Sequence, residues 1–194
     1  MRHSLRCQLV GLAAVTLLMA CGDGHGGHGM GEMAPERLMV DGKYSDERFI
    51  DMMAAHHQMA IEMAQVEQQK GTRAELKTMA ANILQAQQQE IQELKDLKQA
   101  RFGSSDVPMQ MHPNDMDNNG MMMPEAMRQQ PDVDKAFIDS MLPHHAGAIE
   151  MATVALRHSS LAEIRTLSRN IIDAQSEEIG RMIEYRKAWY GTQP

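Results

Sequence analysis

Residues 49–64 read FIDMMAAHHQMAIEMA, and residues 137–152 read FIDSMLPHHAGAIEMA. Eleven of these sixteen positions are identical, at an offset of 88. The same offset, without a gap, lays Leu76–Leu94 over Ile164–Met182. There Thr78, Asn82, Ile83, Ala86, Gln87, Glu90 and Ile91 recur as Thr166, Asn170, Ile171, Ala174, Gln175, Glu178 and Ile179. Such self-similarity is an internal duplication, and neither copy is large enough to bury its apolar face alone.

The periodicity within each copy is helical. Phe49, Met53, His56, Ala60 and Met63 form one stripe with spacings of four and three, matched by Phe137, Met141, His144, Ala148 and Met151. A neighbouring stripe holds Ile50, His57, Ile61 and Ala64, matched by Ile138, His145, Ile149 and Ala152. Gly71-Thr72 breaks the first unit and His158-Ser159-Ser160 the second, so each reads as a helical hairpin. Asp46 and Asp134, three residues before the paired Phe, are the expected N-caps. No segment alternates with period two. The expectation is an all-α fold, a four-helix bundle made of two duplicated hairpins.

Around the hairpins the chain divides further. Residues 1–20 read as a signal peptide, with Arg2 and Arg6 ahead of an apolar run from Leu9 to Ala20 that is too short to span a bilayer. Leu18-Met19-Ala20-Cys21 resembles a bacterial lipobox, which makes Cys21 a candidate lipidated N-terminus and the membrane a partner through that anchor. The alternative is an ordinary cleaved signal. Residues 21–44 form a Gly-rich tether with His25, His28, Met30, Met33 and Met39, either a plain spacer or an auxiliary metal trap. Hairpin one spans 45–100, a Met-rich linker 101–131 and hairpin two 132–190, with one bundle over 45–190. The whole is expected in the periplasm or cell envelope.

Charge and cysteine content exclude several classes. The formal charge of −7 becomes −9 once Arg2 and Arg6 leave with the signal, and no basic cluster remains, which argues against a nucleic-acid partner. Cys7 lies in the signal and Cys21 would carry lipid, so no disulfide is available.

Twenty of 194 residues are Met, far above the usual share. Met can serve as a flexible core filler or as a soft metal ligand. In the linker, Met109, Met111, Met116, Met121, Met122, Met123 and Met127 stand among Gly, Pro, Asn and Asp. So polar a loop has no evident core to fill, which favours the ligand reading there. On the first helix of each repeat both histidines border the apolar face about 100° apart, Met53 falls between them, and Met63 lies beside His56. Two such helices face to face bring four imidazoles and several thioethers towards one interior. The candidate ligands are His56, His57, Met53, Met59 and Met63 in the first repeat, and His144, His145, Met141 and Met151 in the second. Met109, Met111, His112, Met121, Met122 and Met123 are those of the linker. Imidazole with thioether suits copper, since thioether favours Cu(I) and imidazole accepts either oxidation state. The competing reading is packing: a lone His or Met at helical spacing is usually core.

Three acidic pairs and one glutamine pair complete the pattern. Asp51/Asp139 and Glu62/Glu150 point away from the apolar stripe of an unbroken helix and read as surface or capping groups. Pro143, in place of Ala55, removes the bond to the Asp139 carbonyl and is expected to kink or start the helix there. Gln87/Gln175 and Glu90/Glu178 share a face with Ile83/Ile171, where they either orient the histidines or bond between helices.

The strings FIDMMAAHHQMAIEMA and FIDSMLPHHAGAIEMATVAL, the latter followed by NIIDAQSEEIGRM, resemble the bacterial family catalogued as domain of unknown function 305. The likeness covers residues 45–100 and 132–190. It implies a ferritin-like bundle and an exported protein linked to copper binding. Apart from the resemblance, silver is a possible substitute for copper and a copper exporter or chaperone a possible partner. The family's histidines fall on His56, His57, His144 and His145, and its methionines on Met53, Met63, Met141 and Met151. Met182 fits the closing Met of the second hairpin. Leu94 departs from it, and Met59 stands where the family has a small residue.

Function is therefore expected to be metal binding, Cu(I) or Cu(II), for sequestration, resistance or delivery rather than catalysis. One alternative is a metal-dependent oxidase, but no Glu has a His three residues later, as a di-iron bundle requires. Another is a structural envelope protein with incidental metal binding. Asp115, Asp117, Asn119 and Gly120 match the start of an EF-hand loop, but its twelfth position is Ala126.

Overall fold

The computed structural model describes residues 36–110 and 121–191. Four long helices dominate: α1 (Asp46–Lys70), α2 (Ala74–Phe102), α4 (Val133–His158) and α5 (Ala162–Tyr190). A short α3 (Pro124–Arg128) precedes α4, and β1 (Met39–Val40) pairs antiparallel with β2 (Lys43–Tyr44) ahead of α1. The fold is an all-α bundle. Within the hairpins α1 packs on α2 and α4 on α5, and the hairpins meet through α1 and α4.

The core has two apolar clusters related by the duplication. One joins Met59, Ala60, Met63 and Ala64 of α1 to Phe137, Ile138 and Met141 of α4, with Leu76 and Ile83 of α2 beneath. The other joins Phe49, Ile50 and Met53 to Ala148, Met151 and Ala152, with Ile164 and Ile171 of α5 beneath. The start of α1 therefore meets the end of α4, so the two central helices are antiparallel. Each cluster contains seven or more fully or nearly fully buried side chains. At about 1.5–3 kcal/mol for each large apolar side chain buried, this packing holds the bundle without a disulfide.

The helix starts correct the expected caps. Ser45 caps α1 by accepting from Arg48 N at 3.2 Å, and Asp132 caps α4 by accepting from Lys135 N at 2.9 Å. Asp134 caps a different helix. Its carboxylate accepts from Thr72 N, Thr72 Oγ1 and Arg73 N, at the start of α2, whose own cap residue Arg73 makes no side-chain capping bond. That long-range contact ties hairpin one's turn to hairpin two's first helix. Beside it lies Glu67, fully buried, whose carboxyl fills the space a Cβ on Gly71 would need. Gly71 is thus required by space rather than by its backbone angles, which are extended.

Three further expectations are revised. Pro143 does not start α4, because the helix runs through it, Val133–His158, which leaves only the kink of the two alternatives. The segment read as tether up to residue 44 is already docked at Leu38, which is fully buried in the second cluster, because Leu38 O accepts from Ser45 N at 3.0 Å and folds the segment back. Asp51 and Asp139 are not free surface groups. Asp51 pairs with Lys98 at 2.6 Å and Asp139 with Arg186 at 2.7 Å, both cations being buried. No helix among the described residues is long and apolar enough to cross a membrane.

Candidate metal centre

Between the two apolar clusters the bundle is crossed by a polar belt. α1 contributes His56 and His57, and α4 contributes His144 and His145. α2 supplies Gln87 and Glu90, and α5 supplies Gln175 and Glu178. The residues recur at the offset of 88, so the belt is two-fold in pattern. The histidines are at most 5% exposed. Helical spacing explains the placement: His56-His57 sits between Met53/Ala54 and Met59/Ala60, and His144-His145 between Met141/Leu142 and Ala148/Met151, positions that feed opposite clusters.

His56 and His144 face each other across the helix pair, with ring centroids 3.7 Å apart and planes tilted by 34°. The neighbouring rings of His144 and His145 are 6.1 Å apart. His144 Nε2 lies 3.1 Å from the carbonyl oxygen of His56. A carbonyl only accepts, so this nitrogen carries the proton and Nδ1 keeps its lone pair. His145 Nε2 lies 2.7 Å from Glu178 Oε2 in hydrogen-bond geometry. His57 Nε2 approaches Glu90 Oε2 to 2.8 Å, but the contact is misaligned for a hydrogen bond. The Nδ1 atoms of all four histidines are buried and have no hydrogen-bond partner. Neither do the amide nitrogens and oxygens of Gln87 and Gln175. Of the two roles open to the second helix, the glutamates meet the histidines and the glutamines do not.

Burial, reinforced by the neighbouring imidazoles, holds His56 and His144 well below the ordinary imidazole value of 6.5. Both are neutral at physiological pH, the form that ligates metal.

The thioethers lie apart from the imidazoles. Met59, Met63 and Met141 pack into the first cluster, and Met53 and Met151 into the second, all buried. They flank the belt from both ends. Among the described residues no three His, Cys, Asp or Glu side chains gather in reach of one ion. The residues present therefore offer a metal imidazole nitrogen in the belt and thioether sulfur at its two ends, a donor set of borderline-to-soft character.

The linker is also revised. Met127 is fully buried, and Met121 and Met122 pack against the first cluster, so a core does account for part of the linker's methionine. Met122 N also donates to Ser140 Oγ at 3.2 Å. Met109 and Met123 are exposed, at 39% and 45%. Cys21, Met111, Met116, His112, His25, His28 and the EF-hand-like Asp115–Gly120 lie outside the described residues.

Sequence reasoning missed the cations that hold Asp51 and Asp139. The signal was present, since Lys98 and Arg186 are themselves 88 apart, charge matched to charge in both copies. It also missed the empty place beside His56. A Cβ on Gly147 would meet only His56 Nε2, at 3.5 Å, where the first repeat carries the buried Met59.

A profile of the family described as "Domain of unknown function (DUF305)" matches residues 46–186. The chain belongs to this family. It is similar to the structure "CopM in the Cu(II)-bound form", at 36% identity and a TM-score of 0.69, covering 76% of this chain and 99% of that one. CopM in an Ag-bound form matches over the same shares at 34% identity and a TM-score of 0.66. CopM in the Cu(I)-bound form gives 34% and 0.67, also with 76% and 99% covered. A DUF305 protein of Streptomyces coelicolor shares the fold at 22% identity and a TM-score of 0.60, with 75% of this chain and 91% of that one covered. No curated protein matches the chain.

Proposed function

We propose that this DUF305 chain is an exported copper-binding protein that takes Cu(I) and Cu(II), and Ag(I) in their place, for sequestration or delivery. The observation that carries this reading is the set of four buried imidazole Nδ1 atoms without hydrogen-bond partners. A buried polar atom left unsatisfied costs about 1–3 kcal/mol, so a belt holding several of them is a place where a bound group repays its own desolvation. The rings at its centre are neutral, and soft thioethers stand on both sides. The similarity to CopM, whose structures include Cu(I)-, Cu(II)- and Ag-bound forms, supports the choice of metal.

Within this reading His56, His57, His144 and His145 are the imidazole ligands, with Met53, Met59, Met63, Met141 and Met151 as thioether donors. Met109 and Met123, exposed on the linker, act as exchangeable donors together with Met111 and His112. Met121 and Met122 are split between that role and packing. The protein acts without catalysis. A Cys21 lipid anchor holds it at the cell envelope, where an exporter or chaperone exchanges metal with it.

The test is competitive titration of the chain lacking residues 1–20 with Cu(I), Cu(II), Ag(I), Zn(II) and Fe(II). The variant with His56, His57, His144 and His145 all changed to Ala should lose the tightest copper sites. A second variant with Met109, Met111, Met121, Met122 and Met123 changed to Leu should lose only weaker Cu(I) and Ag(I) sites. Full retention of copper by the four-histidine variant sinks the reading. Tighter binding of Fe(II) than of Cu(I) revives an oxidase.

A further inference from the structure

The belt's glutamates meet only the outer ring nitrogens. Glu178 Oε2 takes His145 Nε2 at 2.7 Å, and Glu90 Oε2 approaches His57 Nε2 to 2.8 Å. Both histidine side chains are fully buried, whereas the glutamate side chains are 17% and 15% exposed, so each carboxylate sits at the rim with its histidine behind it. Gln87 and Gln175 lie one turn earlier on the same helices, yet make no hydrogen bond to any ring. The same two partners recur at the offset of 88, although the turns and helix ends of the two hairpins differ.

A carboxylate only accepts, so whichever imidazole nitrogen it meets must bear the proton. We propose that Glu90 and Glu178 are positioning residues that lock His57 and His145 in the Nε2-protonated tautomer, so that each presents an unprotonated Nδ1 to the interior. The inference rests on the reading that the belt takes copper, but the lock itself is a property of the metal-free chain. His144 reaches the same state by another route, its Nε2 donating to the His56 carbonyl. Three rings then offer the same atom, Nδ1, by three separate contacts. The lock is firmer in the second repeat, because the Glu178 contact is aligned and the Glu90 contact is not. The effect on metal binding follows: an outer carboxylate raises the basicity of the bound imidazole and fixes its plane, which tightens binding typically tenfold to a hundredfold.

The experiment uses the full mature chain, labelled with 15N at histidine and free of metal, at pH 8. Long-range 1H–15N correlations report which ring nitrogen carries the proton. In the unchanged protein His57 and His145 should show Nε2–H and bare Nδ1. Glu90→Gln and Glu178→Gln keep the shape of the side chain but replace an acceptor-only group by an amide that can also donate to Nε2, which frees the ring proton to move to Nδ1. That move, with copper affinity reduced at least tenfold and more by Glu178→Gln than by Glu90→Gln, supports the proposal. Glu178→Asp, which keeps an acceptor, should restore the tautomer and part of the affinity. The proposal is overturned by an Nδ1–H or doubly protonated ring in the unchanged protein. A tautomer that ignores both Gln substitutions overturns it too, as does a tautomer shift that leaves copper affinity intact. Failure of the copper reading looks different: the tautomers behave as described, but the metal binds equally well after all four histidines are removed.

Discussion

Hairpin one and hairpin two are the same unit in the middle and different units at their ends. Across the belt every polar part occurs twice: the His-His pair, the Gln and Glu opposite, and an aspartate held by a buried cation. Asp51–Lys98 measures 2.6 Å and Asp139–Arg186 2.7 Å. Towards the ends the copies part, as where Glu67 aligns with Ala155. Even beside the histidines Met59 aligns with Gly147 and Ala55 with Pro143. The His–Glu and Asp–cation contacts keep both partners in each copy, whereas an apolar contact needs only volume. Divergence is therefore tolerated where packing is local and resisted where partners are shared.

The comparison can be broken by moving features from one copy to the other. The largest effect belongs to Ala55→Pro, which gives α1 what α4 carries at Pro143. Ala55 is buried within an unbroken helix, whereas Pro143 is only half-buried, so chemical denaturation should show a loss of about 3 kcal/mol or more. A small loss would mean the two central helices are equally prepared for proline.

Asp134→Ala comes next. It strands Thr72 N and Arg73 N at the first turn, for an expected loss of about 2–3 kcal/mol. Asp46→Ala, its counterpart, should cost less, since one Asp46 carboxylate oxygen already lacks a hydrogen-bond partner. Equal costs would erase the asymmetry between the turns.

The pH dependence separates middle from end. His56 and His144 are neutral in the folded chain but titrate near 6.5 when unfolded, so the unfolded state binds more protons as pH falls. The stability these two rings contribute above pH 6.5 is lost on acidification. Changing both residues to Gln should therefore raise the Tm of the metal-free chain, relative to the unchanged protein, more at pH 5 than at pH 7.5 by calorimetry. Glu67 works in the opposite sense. Burial first, then the neighbouring Asp134, push its carboxyl from 4.5 up to about 8, so the folded chain keeps a proton the unfolded chain has released. Its contribution is lost as pH rises from about 4.5 through 8. Glu67→Gln should therefore gain Tm relative to the unchanged protein between pH 5 and pH 9, and a gap that stays constant would refute this. Asp134 remains ionised beside it because, although burial opposes this, the Thr72 hydroxyl and the Arg73 and Thr72 amides outweigh it.

The smallest change is Gly147→Ala. Its Cβ would make only an ordinary contact with His56 Nε2, and alanine favours mid-helix by about 1 kcal/mol over glycine, so a slight gain is expected. A loss would show that the space beside His56 must stay open.

Much of this was legible in the sequence because duplication and helical period are local signals. The identical spacing in residues 49–64 and 137–152 places four histidines on the inner face without any knowledge of the third dimension. Other features depended on pairings between distant segments. Asp134 has the composition and position of a cap for its own helix, yet Asp132 serves there and frees it for α2, a choice set by how the hairpins dock. Asp51 and Asp139 look outward on an isolated helix, and only the neighbouring helix brings Lys98 and Arg186 over them. Met121, Met122 and Met127 sit in a polar stretch, so their burial follows from where α3 lands rather than from any periodicity. Leu38 is similar: one apolar residue in a Gly-rich segment becomes core because Ser45 turns the chain back.

The belt also governs alignment. Methionine and alanine surfaces are forgiving, and two antiparallel helices faced with them could slide past each other by a turn, about 5.4 Å, with little change in apolar contact. Sliding α4 along α1 by that amount would carry His144 away from the His56 carbonyl and bring both histidine pairs against side chains that cannot bond to them. A polar stratum through an otherwise permissive interior thus acts as a detent, leaving the pair of hairpins one register in which to settle.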